Sequence, residues 1–184
     1  MADIRYKIIK PRYLEGKIKR FDQITKIIPK TVIANDLRKN SDTFTRLVKE
    51  PEGFTLKELT TLGHLFNLTL QQLFDLVTVA FPERKRSIRL EDERYDYIRT
   101  MVASGDIRFF EEIFEVVPRS IVAKDLKTKR DRLGKLLHRI EQFTVYDLLR
   151  IGYFCRLSKK ETFSLVAATY TRQSNYSKKN RKPE

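Results

Sequence analysis

The sequence is poor in the residues that build cross-linked, metal-bound or loop-rich proteins. Its 184 residues hold one cysteine, Cys155, two histidines, His64 and His138, and no tryptophan. A single thiol excludes an internal disulfide framework and a cysteine-based zinc site. Cys155 sits in an apolar run and reads as a small core residue rather than a nucleophile. Neither histidine has a second His or Cys at metal-ligand spacing, and His64 reads as a partly buried helix residue. Six glycines and six prolines are too few for a loop-rich all-β fold. No Gly-rich phosphate loop, H-E-x-x-H or G-x-S-x-G occurs, so neither an enzyme nor a cofactor is expected. No apolar run approaches the ~18–20 residues that cross a bilayer, and the start MADIRYKIIK lacks the apolar stretch of a secretory signal. The expectation is a soluble protein with no membrane partner, in the bacterial cytoplasm or nucleoid, or in a virion if the chain is phage-encoded.

What the chain has in excess is positive charge. Lys and Arg number 38 against 24 Asp and Glu, a net charge of +14 and a pI near 9.9. An imbalance of this size points to a polyanion, nucleic acid first. With 41% hydrophobic residues the chain is too apolar to be disordered.

The second feature is self-similarity. Residues 3–81 align with 92–170 at a constant offset of 89 without a gap, and more than twenty positions are identical. Asp3, Arg5, Tyr6 and Ile9 match Asp92, Arg94, Tyr95 and Ile98. Pro29, Ala34, Asp36, Leu37 and Asp42 match Pro118, Ala123, Asp125, Leu126 and Asp131. Phe54, Thr55, Gly63 and Leu68 match Phe143, Thr144, Gly152 and Leu157. A register of this length implies two homologous units. The expected organisation is a helical repeat over 1–81, a basic linker over 82–91, a second repeat over 92–170 and a basic, disordered tail over 171–184.

Each unit carries helical periodicity and no strand pattern, so the fold class is all-α, with about five to six helices per unit. Helices are expected near 3–14 and 92–103. IRFFEEIFEVV reads as a further helix stopped by Pro118, with IKRFDQITKII and Pro29 as its equivalents. Thr55, Thr69 and Thr144 have N-cap chemistry, and Ser158 with Glu161 forms a capping box.

The centre of each unit, Pro-x-x-x-(Ile/Val)-Ala-x-Asp-Leu followed by a turn, a helix with two inward anchors and Phe-Thr, resembles the Cro-type, lambda-repressor-like helix-turn-helix family. In unit one the residues are Pro29, Ile33, Ala34, Asp36, Leu37, Phe44, Leu47, Phe54 and Thr55. In unit two they are Pro118, Val122, Ala123, Asp125, Leu126, Leu133, Leu136, Phe143 and Thr144. The resemblance covers about 50 residues of each unit and departs from the family at the turn. There the family often has Gly, and this chain has Arg38 or Lys39, and Lys127 or Thr128.

The resemblance implies recognition helices at about 41–50 and 130–140 that dock in the major groove of double-stranded DNA. The residues it places on DNA are Lys39, Ser41, Thr43, Thr45, Arg46 and Lys49 in unit one. In unit two they are Arg119, Lys124, Lys129, Arg130, Arg132, Lys135, His138 and Arg139. Asp42 and Asp131 fall in the first helical turn and serve the helix dipole rather than DNA. Segment 119–139 has eight basic and two acidic residues, against five and three in 30–50, so unit two is the stronger electrostatic footprint. The function expected is a DNA-binding transcriptional regulator. The alternative is a phage or mobile-element structural protein with a degenerate helix-turn-helix fold that contacts a protein partner or itself.

Overall fold

Two prolines fix where the central helices begin. Pro29 and Pro118 lack an N–H to donate and hold extended ψ, so the helix that follows starts at the next residue. The computed structural model describes residues 3–79, 81 and 92–179, the last three of them by backbone alone. Every regular element among these is helical, as the composition and periodicity require. The chain divides into two compact units, Met1–Lys85 and Arg86–Glu184. The linker expected over 82–91 lies outside the described residues.

Unit one opens with a 3-10 segment, Ile4–Ile8, that runs into α1, Ile9–Leu14. Asp3 caps it, accepting from the Arg5 backbone N–H and from the Arg5 guanidinium, and these bonds hold its carboxyl at about 2. A 3-10 segment, Phe21–Lys26, precedes α2 (Lys30–Asp36) and α3 (Ser41–Lys49). The unit closes with a 3-10 turn at Pro51–Gly53, α4 (Leu56–Phe66) and α5 (Leu70–Thr78). Thr55 and Thr69 cap the last two helices, each in a reciprocal box, with Glu58 and Gln72.

Unit two follows the same plan. It comprises α6 (Arg94–Ser104), a 3-10 turn at Phe110–Glu112 leading into α7 (Ile113–Val116), α8 (Arg119–Asp125) and α9 (Arg130–His138). A 3-10 turn at Ile140–Gln142, α10 (Val145–Phe154) and α11 (Lys159–Lys179) complete it. Thr144 caps α10 through the Asp147 N–H, and Ser158 and Glu161 cap each other's N–H groups before α11. Cys155 is fully buried, and burial pushes its thiol up to about 12, which fits a core residue.

Two sequence expectations change. The helix expected before each proline is a short piece that starts only at Phe21 and Phe110. The reason is a side-chain acceptor. Gln23 takes the N–H groups of Lys19 and Arg20, and Glu112 takes those of Arg108 and Phe109, so the chain is held extended until that point. The second change is the tail. Residues 171–179 continue α11 instead of forming a disordered segment, and the rest of the expected tail, 180–184, lies outside the described residues. Two side chains tie this segment to the unit: Arg172 pairs with Glu111 and lies 3.9 Å over the Phe109 ring, and Gln173 bonds to the backbone near α9. Tertiary contacts of this kind sustain helix in a sequence whose own propensity is weak.

Each core is a ring cluster beneath the central helices. In unit one Phe54 packs on Phe21 and Phe44, with ring centroids 4.9 and 6.2 Å apart. In unit two Phe110 packs on Phe114 and Phe143, both at 6.0 Å. Where unit one has Phe44 and Thr25, unit two has Leu133 and Phe114, so each core keeps a third ring. Burying such a side chain is worth about 2 kcal/mol.

Candidate nucleic-acid interface

The central helix pair is set by small residues and a tight turn. Ala34 and Ala123 are buried and leave room for the next helix to cross closely. α3 turns Phe44, Leu47 and Val48 inward, and α9 turns Leu133 and Leu137 inward; Leu136 is only half-buried. The helices α3 and α9 coincide with the recognition helices expected at 41–50 and 130–140.

The turn between the helices solves the missing glycine in a costly way. Arg38 has φ 53° and Lys127 has φ 56°, both left-handed. Around each, two backbone bonds close the turn. The Arg38 and Lys39 N–H groups donate to Asn35 and Ala34, and those of Lys127 and Thr128 to Lys124 and Ala123. This is a Schellman closure with a cation where glycine would be free of strain. A side chain in that conformation costs about 1 kcal/mol.

Further bonds hold the first helix of each pair. The Tyr95 hydroxyl donates to Asp125 at 2.8 Å, and Tyr6 donates to Asp36 in the same way. Burial and the carboxylate raise both phenols, so they remain donors. In unit two Arg150 donates to the carbonyls of Asp125 and Leu126 at 3.1 and 3.2 Å, capping the C-terminus of α8. The sequence pattern marked Asp125 and Tyr95 as repeated residues; nothing in it paired them, because they stand 30 residues apart.

The residues expected on DNA fall into two groups. In unit two Arg119, Lys124, Lys129, Arg130, Arg132, Lys135, His138 and Arg139 are all exposed. Among the described residues, none of Arg119, Lys129, Arg130, Arg132, Lys135 or Arg139 is ion-paired, and Lys127 adds a further exposed cation. His138 is the last residue of α9 and exposed, and Arg139 lies one residue beyond the helix. In unit one Ser41, Arg46 and Lys49 are exposed, but Thr43 and Thr45 are half-buried. Lys39 bonds to Glu58 at 2.5 Å and is half-buried, so its charge is already neutralised. His64 is exposed, not partly buried; its counterpart Tyr153 is the half-buried one.

The helix starts also differ. Asn40 caps α3 by accepting the Thr43 N–H at 2.7 Å. At the equivalent place Lys129 offers α9 no side-chain acceptor. The first turn of α9 therefore presents open N–H groups beside Lys129, Arg130 and Arg132, with Asp131 the one acidic residue there. No cluster of His, Cys, Asp or Glu among the described residues could hold a metal ion, and no described helix is long and apolar enough to cross a membrane.

No protein-family model, curated protein or solved structure matches the chain, so the reading of this surface rests on its own geometry.

Proposed function

We propose that the protein is a DNA-binding regulator of helix-turn-helix type, and that α8, α9 and the turn between them carry its main contact with duplex DNA. The observation that carries this reading is the placement of cations where they cost folding energy. Lys127 occupies a left-handed turn position that glycine fills without strain. Lys129, Arg130 and Arg132 crowd the uncapped, electropositive start of α9, where basic residues oppose the helix dipole. Each arrangement becomes favourable once a phosphate is bound, because open N–H groups and cations then share one anion. Outward Arg and Lys on α9 have the chemistry to read guanine edges. Unit one carries the same turn with Arg38 but a capped, less basic helix, so it contributes a weaker and different contact. The two units then favour an asymmetric site.

The test is selection from a random duplex pool at two salt concentrations with sequencing of the bound fraction. The expected result is an asymmetric motif that persists at the higher salt. Binding that disappears with salt and enriches nothing would refute sequence-dependent recognition. Substituting Arg130, Arg132 and Lys135 together by Ala should lower the slope of log K against log salt by up to about 2.7, since each phosphate contact contributes roughly 0.9. Arg46→Ala with Lys49→Ala should change it less.

A further inference from the structure

The twelve residues by which α11 outruns α5 of unit one, 168–179, have no counterpart in that helix. They run beside the Phe110–Glu112 turn and the end of α9 and wall in a cleft of about 570 Å³. Arg119, Leu137, His138, Arg172 and Tyr176 line it, with Glu111 at one side. That volume lies within the range of small-molecule sites, roughly 300–1,000 Å³.

The cleft's walls are fixed before anything binds. The Phe110 N–H donates to the Thr169 hydroxyl at 2.8 Å, Thr169 donates to Glu111, and Glu111 also accepts from Arg172. Thr169 is fully buried. Arg172 lies over the Phe109 ring, which sets the plane of its guanidinium. On the other side, the Gln173 amide donates to the Leu137 carbonyl at 3.1 Å and accepts the Ile140 N–H at 3.2 Å, so α11 is fastened to the end of α9.

The chemistry of the lining is uneven. The one carboxylate, Glu111, is engaged by Arg172 and Thr169 and has little left to offer a cation. Arg119, at the first position of α8, has no partner among the described residues, and neither has the His138 side chain. The cleft thus holds a free guanidinium, an imidazole and a neutralised Arg–Glu pair, beside the apolar Leu137 side chain and an exposed aromatic ring, Tyr176, 71% accessible. A surface aromatic at the rim of a cationic cleft is suited to a ligand with an anionic head and a flat body.

We propose that this cleft binds a small organic phosphate, its phosphoryl group held by Arg119 and His138 and its body against Leu137 and Tyr176. The ligand would bridge α8, the end of α9 and α11. The proposal concerns the free protein and does not depend on the DNA reading.

The two histidines make the test direct. In the full chain the imidazole proton resonances of His138 report on the cleft, and those of His64, exposed in unit one, serve as an internal reference. Phenyl phosphate and inorganic phosphate are titrated separately at constant pH and ionic strength. The expected result is a saturable shift of His138 alone, with phenyl phosphate binding at least severalfold more tightly than inorganic phosphate. Arg119→Ala, an exposed change with little reach into the fold, should weaken both by roughly tenfold, the usual scale for a charge-assisted bond. Tyr176→Ala should remove only the preference for the phenyl compound. Shifts of both histidines in parallel without saturation, or binding indifferent to Arg119→Ala, would overturn the proposal. A duplex oligonucleotide forms the third arm. If His138 responds to the duplex and to neither small phosphate, the cleft serves the DNA backbone and the small-molecule site is refuted, while the DNA reading stands.

Discussion

Adding one methyl group at two different glycines of unit two should change stability in opposite directions. Gly152 lies in α10, where that helix crosses α11. A Cβ placed there would stand 2.0 Å from the Thr162 hydroxyl oxygen, 2.8 Å from its Cγ2 and 2.9 Å from its Cβ. Thr162 cannot easily move aside. It is 1% exposed, its χ1 is restricted by β-branching, and its hydroxyl donates to the Ser158 carbonyl at 2.9 Å. Either that bond breaks or the two helices separate, and overpacking of this kind costs about 1–3 kcal/mol. Gly134, in the middle of α9, has nothing within 4 Å of the same added atom. There only helix propensity acts, and alanine is favoured over glycine by about 1 kcal/mol.

Gly152→Ala also gains that propensity, so its net effect should be a loss of up to about 2 kcal/mol, and Gly134→Ala should be a gain of about 1 kcal/mol. Urea unfolding followed by far-ultraviolet circular dichroism gives both as displacements of the midpoint. The double change Gly152→Ala with Thr162→Ala removes the two closest clashing atoms and should be less harmful than the sum of its parts. If Gly152→Ala stabilises the protein as Gly134→Ala does, α10 and α11 do not approach as closely as described. The placement of α11 over the end of α9 would then fall with it.

Two other changes probe the turn before α9 and the tether between α11 and the end of α9. Lys127→Gly relieves a left-handed side chain and should raise stability by about 1 kcal/mol while weakening duplex binding. A loss on both counts, or a gain in binding, would remove the argument that strain is kept there for a phosphate. Gln173→Ala leaves the Ile140 N–H and the Leu137 carbonyl without their partner and should cost roughly 1 kcal/mol. Hydrogen exchange should locate the loosening at 137–143 and 169–179, and a uniform change across unit two would contradict the tether.

Much of the scaffold was legible in the sequence because it is written in local codes. The caps at Thr55, Thr69, Thr144 and Ser158, the breaks at Pro29 and Pro118, and the inward anchors Phe44, Leu47 and Leu133 all follow from spacing of a few residues. The starts of α3 and α9 lie where the family resemblance put them, at 41 and 130, and the helices end one and two residues earlier than it implied. What the sequence concealed depends on contacts across 19 to 63 residues. Lys39 looks like a free cation until Glu58 is brought beside it. Residues 171–176 look like a solvated tail until Glu111, Phe109, Leu137 and Ile140 meet them. Composition makes that tail polar, and packing makes it helix. The cleft that the extension creates had no signal in the sequence at all, since its parts come from four separated segments.

The two units share their helical plan and differ at the start of the second central helix. At the turn both keep a strained cation, Arg38 or Lys127. Beyond the turn, unit one follows the rules for a stable helix: an Asn cap, an acidic first turn, and a neighbouring lysine neutralised by Glu58. Unit two departs from two of them. Lys129 replaces the cap, and Thr128 removes the lysine that would pair with an acidic residue. Arg130 and Arg132 stand where unit one has Ser41 and Thr43, so Asp131 no longer dominates its first turn. At the start of α9, Lys129, Arg130 and Arg132 stand where unit one has Asn40, Ser41 and Thr43, and the proposed phosphate contact would account for basic residues at positions that oppose the helix dipole. Solubility alone would not account for them. A solubilising charge works equally well at any exposed site, and these charges sit at helix positions where they weaken the fold.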